Sequence, residues 1–218
     1  GGFSREREIS LKTAKGVFNS LKKKYKVIVC EPSGDLIKKL RSFKPDVVFN
    51  ALHGRYGEDG YIQAILESEK IKYTHSGVLS SSIAIDKELS KKIFRKNKIL
   101  SPQFIKYKFK NIKKKNEIIK KIKTKLGFPV VIKPFNEGSS VEVYISNKKN
   151  ILKNLNKLRP YKEIMIEKFI PGREIQVAIM GNRKLGAIEL IPKRKFYDYK
   201  AKYDSKSKTK HIIPVNIN

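Results

Sequence analysis

The segment VVIKPFNEGSSVEV at residues 130–143 has the composition of a phosphate-binding loop. A β-branched apolar run ends in Lys133, and a loop with Gly138, Ser139 and Ser140 follows before apolar alternation resumes. This order predicts a strand, a small-residue loop and a second strand. Small residues let backbone N–H groups approach an anion, hydroxyl groups add donors, and the lysine adds a positive charge. The loop is therefore a candidate cover for a nucleotide, although an ordinary hairpin also explains an isolated glycine.

A second polar loop, FNALHGRYGEDG, occupies residues 49–60 and follows a predicted strand at Val47–Phe49. In α/β layers, ligand groups lie at the carboxyl ends of parallel strands. His53 could donate to, or titrate with, a bound carboxylate or amine. The alternative is a surface loop whose glycines serve turn geometry.

Two segments near opposite ends of the chain also concentrate polar side chains. Glu6 and Glu8 alternate with arginines just before a predicted helix, where carboxylates commonly act as caps or partners of the helix dipole. The segment FYDYKAKY at residues 196–203 interleaves tyrosines with lysines, which favours a long loop that closes over a site. An ordinary surface loop is the alternative for this second segment.

The composition is that of a soluble enzyme or binding protein. The 218 residues, 39% of them apolar, suffice for one large α/β domain or two modest ones. No apolar run reaches the length of a membrane span, and no signal peptide is visible, so we expect a cytoplasmic protein without a membrane partner. The single cysteine, Cys30, cannot form a disulfide within one chain, and its apolar surroundings predict a reduced core residue.

The formal net charge of +30 suggests a polyanion partner at first sight. The densest basic stretch, Lys106–Lys125, and the residue after it have apolar side chains at helical spacing: Ile118, Ile119, Ile122 and Leu126. We therefore expect an amphipathic helix with a solvated lysine face and no nucleic-acid partner, because nucleic-acid sites usually interleave arginines and aromatics. Phosphorylated small molecules also suit a basic protein.

Helix and strand signals alternate in the first 85 residues. Strands are predicted at Val27–Val29 and Val47–Phe49, and helices from about Ile9, after a cap at Ser33, and around Ile62. This βαβα order predicts a Rossmann-like parallel sheet covered by helices, so we assign residues 1–85 to an N-terminal α/β domain.

Residues 86–218 show strand pairs instead and are assigned to an α+β domain. Predicted strands are Val130–Lys133, Val141–Ile145, Ile164–Phe169, Ile175–Met180 and Leu185–Ile191, with a further short strand near Phe104. Helices are predicted through Phe94, within Lys106–Lys125 and at Lys148–Leu158. Gly181 and Asn182 predict a hairpin turn.

Six ordered motifs make the chain resemble the D-alanine–D-alanine ligases of the ATP-grasp superfamily. The motifs are GGxSxEREISL, LHGxxGEDGxxQ, SGVLxSxxAxDKxxSK, VVxKPxxEGSSV, IEKFIPGRE and FYDYxAKY. The resemblance implies a Rossmann-like domain followed by an ATP-grasp domain. It also implies an ATP-dependent, ADP-forming ligation of two D-alanines through an acyl phosphate, for peptidoglycan synthesis.

The resemblance also implies roles for individual residues. Glu6 would bind the ammonium of the first D-alanine and form a catalytic triad with Ser139 and Tyr203, and His53 would line the D-alanine pocket. The other residues that match functional positions of the family's motifs would bind ATP: Lys87, Lys133, Ser140, Glu167, Lys168, Ile170, Glu174 and Lys202. Among them Glu174 would hold the ribose hydroxyls, and Lys202 would reach the γ-phosphate. Tyr203 resembles the branch that uses an amine as nucleophile.

The chain departs from the family pattern at three positions and at its ends. Lys200 replaces the usual glutamate of the last motif, and His75 replaces a usual glycine. Glu142 stands where the family usually has glycine. No strand precedes Gly1, and the chain stops before the family's ligands for Mg²⁺, so no residue is assigned to Mg²⁺ or Mn²⁺. We expect a fragment of a roughly 300-residue enzyme, inactive alone and a homodimer when full length. Rival interpretations are another ATP-grasp carboxylate–amine ligase and a non-catalytic protein that binds nucleotides or polyanions.

Overall fold

The computed structural model describes residues 1–109, 115–193 and 199–216. The helices are α1 Arg7–Leu21, α2 Leu36–Phe43, α3 Tyr61–Ser68, α4 Val78–Ile85, α5 Lys87–Lys96, α6 Lys115–Lys125, α7 Ile151–Lys157 and α8 Tyr199–Tyr203. The strands are β1 Phe104–Lys108, β2 Val130–Lys133, β3 Tyr144–Ser146, β4 Glu163–Lys168, β5 Glu174–Met180, β6 Arg183–Ile191 and β7 Lys210–Ile212. No helix among the described residues is long and apolar enough to cross a membrane.

The backbone forms two compact units. The first comprises Gly1–Ser101 and Phe135–Gly138, and the second comprises Pro102–Pro134 and Ser139–Asn218. The domain boundary between residues 85 and 86 stays a prediction, because compactness alone does not show which segments fold independently.

Helices dominate the first unit. Leu36 and Leu40 of α2 and Ile62 and Leu66 of α3 form a small buried core. Its parallel strand pairing is a single bridge between Val48 and Tyr73 among the described residues. Because α2 and α3 bury their apolar faces together, they hold the loop at 49–60 at the end of this bridge.

The predicted strand at Val27–Val29 is wrong. The segment has no regular structure, and the side chains of Ile28 and Val29 are 43% and 62% exposed. A strand needs a hydrogen-bonded neighbour, and within the described part of the chain nothing pairs with this segment. Cys30, the next residue, is unpaired and half-buried beside the α2–α3 core.

The predicted cap of α2 is also wrong by two residues. Asp35 occupies the N-cap position, and its side chain does not cap the helix. Ser33 instead accepts a hydrogen bond from the Leu36 backbone through its carbonyl. Its hydroxyl donates to the Asp35 carboxylate, so the two polar side chains satisfy each other rather than the helix end.

The second unit contains two antiparallel sheets, with strand orders β1-β4-β2-β3 and β5-β6-β7. Helices α6 and α7 pack on the first sheet and bury one continuous core. Its fully or nearly buried members are Ile105, Ile118, Ile122, Leu126, Val130, Ile132, Ile151, Leu155, Leu158, Ile164 and Ile166. The antiparallel α+β architecture predicted for this part of the chain is thereby confirmed.

The predicted amphipathic lysine helix is confirmed for the described residues. In α6, Ile118 and Ile122 are buried while Lys120, Lys121 and Lys123 are exposed. Residues 110–114 of the same basic stretch lie outside the described residues.

Two elements in the second unit begin three residues later than predicted. β3 begins at Tyr144 rather than Val141, because the residues before it form a turn. α7 begins at Ile151 rather than Lys148, since Asn147 accepts from the backbone of Lys149 at 2.9 Å and closes a local turn first. The predicted hairpin is confirmed, with Met180 opposite Arg183 across Gly181 and Asn182.

Candidate active site

Glu6 lies at the N-cap position of α1 but does not cap the helix with its side chain. The residue is only 2% exposed, and its Oε1 atom has no hydrogen-bond partner among the described residues. A buried carboxylate without a partner carries a large desolvation cost, which a bound cation would remove. The interpretation of Glu6 as a simple cap is therefore wrong.

Two glycines leave space beside this carboxylate. A methyl group on Gly54 would lie 2.7 Å from Glu6 Oε2, and one on Gly138 would lie 3.0 Å from the same atom. Gly54 also has a positive φ of 70°, which favours glycine. Both loops singled out from the sequence therefore contribute a glycine that lets the backbone approach Glu6.

His53 is held on one side of its peptide by α1 and on the other by the segment just before that helix. Its backbone N–H donates to Ser10 Oγ at 2.9 Å, and Ser4 Oγ donates to its carbonyl at 2.7 Å. Its ring Nε2 lies 2.9 Å from Thr13 Oγ1, and its Nδ1 lies 3.7 Å from Glu58 Oε1. The ring is thus oriented by a hydroxyl and faces a second carboxylate.

Thr13 and Glu58 were not assigned as candidate site residues from the sequence. A signal for Thr13 was present, because Glu6, Ser10 and Thr13 recur at the spacing of one helix face. Glu58 belongs to the 49–60 loop, but nothing in that loop's composition predicts its approach to the histidine. The pairing depends on how the loop folds back.

Lys87 anchors the segment that precedes the small-residue loop. Its Nζ donates to the Phe135 carbonyl at 3.1 Å and also to the Glu137 carbonyl. A cation bonded to these carbonyls fixes the path of the backbone into Gly138. Lys87 thus lies next to the candidate phosphate loop, and its contact with ATP stays a prediction.

The small-residue loop adopts a left-handed backbone at several positions. Ser139, Ser140 and Glu142 have φ values of 45°, 60° and 54°. The residues from Ser139 to Glu142 form a turn, and turn conformations are among those that group successive backbone N–H groups into an anion-binding nest. Ser139 Oγ also lies 2.7 Å from the hydroxyl of Tyr203 in α8. The structure therefore joins two members of the predicted triad, 64 residues apart in sequence.

Lys133 and Glu167 form an ion pair on adjacent strands. Lys133 closes β2, Glu167 lies near the end of β4, and their side chains are 19% and 9% exposed. A paired lysine and glutamate in a half-buried position offer one donor and one acceptor to an entering polar ring. Lys168 and Ile170, which follow Glu167, are exposed.

Glu174 opens β5 near Lys202 of α8. Burial raises the pKa of the Glu174 carboxyl, and the positive charge of Lys202 opposes that rise. The Glu174 residue is nevertheless exposed, so its carboxylate is open to hydroxyl donors from solvent. The first three residues of FYDYKAKY lie outside the described residues, and the next five form α8.

The described residues do not offer a magnesium site. No group of three or more histidine, cysteine, aspartate or glutamate side chains is placed to hold a metal ion in residues 1–109, 115–193 and 199–216. Mg²⁺ prefers several oxygen ligands in octahedral geometry. The donor set of this part of the chain therefore does not fit the ion.

Two family models match the chain. The model of the D-ala D-ala ligase C-terminus matches residues 93–218, and that of the N-terminus matches residues 32–76. A D-alanine–D-alanine ligase of Pelagibacter ubique is 66% identical over the whole chain, which spans 71% of that relative.

Solved structures give the same result. A D-alanine–D-alanine ligase from Bacillus anthracis superposes with a TM-score of 0.80 at 35% identity, covering all of this chain and 70% of that one. The same enzyme complexed with ATP gives a TM-score of 0.76 at 32% identity, covering all of this chain and 69% of that one. These matches confirm the predicted fold class. The chain belongs to the D-alanine–D-alanine ligase family of the ATP-grasp superfamily.

Proposed function

We propose that this chain provides the substrate- and nucleotide-binding residues for ATP-dependent ligation of two D-alanines. The family is ADP-forming and passes through an acyl phosphate, and its dipeptide enters peptidoglycan synthesis. The observation that carries the proposal is the buried carboxylate of Glu6, whose Oε1 has no partner among the described residues. An amino acid's ammonium group matches this oxygen in charge and in donor number.

The residues around Glu6 suit a small zwitterion. Glu6 accepts from the ammonium of the first D-alanine, and His53 lines the pocket with a ring oriented by Thr13. Gly138 lies beside the Glu6 carboxylate and directly precedes Ser139, which is bonded to Tyr203. We assign Ser139 and Tyr203 to holding the loop closed, because an acyl phosphate must be kept from water.

The other residues that match the family's motifs suit ATP. Glu167 accepts from the adenine amino group, the backbones of Lys168 and Ile170 border the ring, and Glu174 accepts from the ribose hydroxyls. Phosphates meet Lys87, Lys133, the amides around Ser140, and Lys202. The support for this assignment is the turn backbone of the small-residue loop and the position of Glu174 at the start of β5, near Lys202 of α8.

Phosphoryl transfer from ATP needs a divalent cation to neutralise the β- and γ-phosphates, and we propose Mg²⁺ or Mn²⁺ for that role. No residue of this chain is assigned to it, because the described donors do not fit. We also propose that the enzyme acts in the cytoplasm, where ATP is available, and as a homodimer. Both rest on the family alone, and light scattering tests the second.

The test is phosphate release from ATP with D-alanine, L-alanine and D-lactate in parallel. We would assay the chain alone and a chimera carrying the remaining segments of the Pelagibacter ubique relative, of which this chain spans 71%. We expect the chimera to release phosphate with D-alanine and to form the dipeptide. Release with a different acid would favour another ATP-grasp ligase, and no release would favour a non-catalytic nucleotide-binding protein.

Ser139→Ala in the chimera tests the loop assignment. We expect turnover to fall about 100-fold, because the loop loses its bond to Tyr203 and the reacting groups lose their alignment. Ser42→Ala, at an exposed position in α2, is the matched control and should leave turnover unchanged. Equal turnover in the two variants would contradict the assignment.

A further inference from the structure

Arg173 and Glu189 form a two-pronged ion pair that the assignments above do not use. Arg173 Nε donates to Glu189 Oε1 at 2.7 Å, and Nη2 donates to Oε2 at 2.6 Å. The Glu189 residue is only 8% exposed, and the arginine's hydrogen bonds hold the pKa of its carboxyl below the usual value. Such parallel bonds fix the direction of the guanidinium as well as its distance.

The ion pair joins the residue just before β5 to a residue of the neighbouring strand β6. Glu174 lies opposite Leu190 and Ile175 lies opposite Glu189 in the antiparallel register. Since side chains alternate along a strand, Arg173 and Glu189 share one face, and Glu174 projects from the other. The ion pair therefore restrains the backbone at Glu174 from one face of the sheet. It does not occupy the opposite face, where the Glu174 side chain lies.

Within the described part of the chain, the residues just before this point are exposed to solvent. Ile170, Pro171 and Gly172 are exposed, and a methyl group on Gly172 would meet nothing within 4 Å. Strand ends fray when few contacts hold them. Arg173 is thus placed to set where β5 begins and where its first side chain points.

We propose that Arg173 is a positioning residue for ribose recognition, which it achieves by clamping β5 to Glu189 so that Glu174 meets the ribose hydroxyls. The inference rests on the proposed function of Glu174 as the ribose ligand. A carboxylate that accepts two hydroxyl hydrogen bonds needs a fixed backbone, since angular error weakens such bonds steeply. Loss of the clamp therefore reduces discrimination between ribose and deoxyribose rather than nucleotide binding in general.

The experiment measures affinities for ATP and 3′-deoxy-ATP by competition with a fluorescent ATP analogue. Arg173→Lys keeps the positive charge but cannot form the two-pronged pair. The matched control is Arg41→Lys, which removes an equivalent fork to Glu69 with bonds of 2.7 and 2.8 Å in the first unit. Glu174→Gln reports the discrimination that remains when the ribose ligand itself is altered.

We expect the native chain and the Arg41→Lys variant to prefer ATP by about tenfold, the usual effect of one hydrogen bond to a charged group. Arg173→Lys should lower that preference at least threefold, and Glu174→Gln should lower it further. The exchanged pair, Arg173→Glu with Glu189→Arg, should restore it. If the Arg173→Lys variant does not fold, the exchanged pair still tests the inference, because it rebuilds the ion pair with the two charges reversed.

Two outcomes overturn the inference in different ways. Unchanged preference in folded Arg173→Lys, with Glu174→Gln impaired, would overturn the positioning role alone. Failure of the native chain to bind either nucleotide would overturn the proposed function and the inference with it.

Discussion

Glu142 holds a backbone conformation that suits glycine better. Its φ is 54°, and its carboxylate accepts a hydrogen bond from the hydroxyl of Tyr144. A side chain in the left-handed region costs about 1–2 kcal/mol, whereas a hydrogen bond contributes about 1 kcal/mol. The departure from the family's glycine therefore leaves the loop in the glycine conformation and offsets part of its strain with a local bond.

This balance predicts different results for two substitutions. Glu142→Ala loses the bond and keeps the strained Cβ, while Glu142→Gly loses the same bond and removes the strain. We expect Glu142→Gly to be more stable than Glu142→Ala by about 1 kcal/mol. Urea unfolding of the two variants measures the difference. An alanine variant as stable as the glycine variant would show that the position carries no strain.

Tyr144 should ionise unusually late. Burial, together with its hydrogen bond to Glu142, raises its pKa from 10.0 to about 12. The folded state favours the neutral phenol, so this contribution to stability is complete below pH 10 and is lost as the pH rises toward 12. Absorbance at alkaline pH follows the ionisation of the tyrosines. The Tyr144→Phe variant should show one tyrosine fewer in the phase that ionises at the highest pH. Removal from an early phase would contradict the burial of this hydroxyl.

Residue types and motif order predicted the candidate side chains, but not their environments. Ser139 and Tyr203 were paired through the family resemblance, since no local signal joins residues 64 apart. The unpartnered oxygen of Glu6 could not be predicted at all. It arises because Gly54 and Gly138, from two separate loops, approach one carboxylate.

At the scale of elements, strands were predicted well where they have neighbours. β2, β4, β5 and β6 pair along their length, so periodicity and pairing agree. Val27–Val29 has the same β-branched composition, yet it is exposed and unpaired within the described chain. Composition predicts only the tendency of a segment to form a strand. The strand forms where a neighbouring segment is placed to pair with it.

The lysine helix gives a matched test of the same argument. Ile122 of α6 is fully buried in the core, and its neighbour Lys121 is exposed. Ile122→Ala should lower the free energy of unfolding by about 2–5 kcal/mol, because it leaves a cavity. Lys121→Ala should change it by less than about 0.5 kcal/mol. Equal effects in urea unfolding would mean that α6 does not pack as its periodicity predicts.

For the whole molecule, the net charge of +30 is the feature that says least about which ligand the protein binds. The described lysines of α6 form a solvated face, while Lys87 and Lys133 contact carbonyl and carboxylate oxygens beside the candidate site. Nothing in the structure explains the excess of lysine. Position rather than number therefore separates the lysines proposed to bind ATP from those that only add to the overall positive charge.

This distinction predicts how ATP affinity responds to charge. Removing three charges together, with Lys120, Lys121 and Lys123 changed to alanine, should alter the Kd for ATP less than about twofold at 0.15 M salt, where the screening length is about 8 Å. Lys87→Ala removes one charge and should weaken binding about tenfold or more, because it acts at hydrogen-bond range. Fluorescent-nucleotide titration compares them, with random duplex DNA as a second ligand. If the triple variant lost ATP and DNA binding together, the basic surface would be the binding site, and the polyanion-binding alternative would replace the ligase assignment.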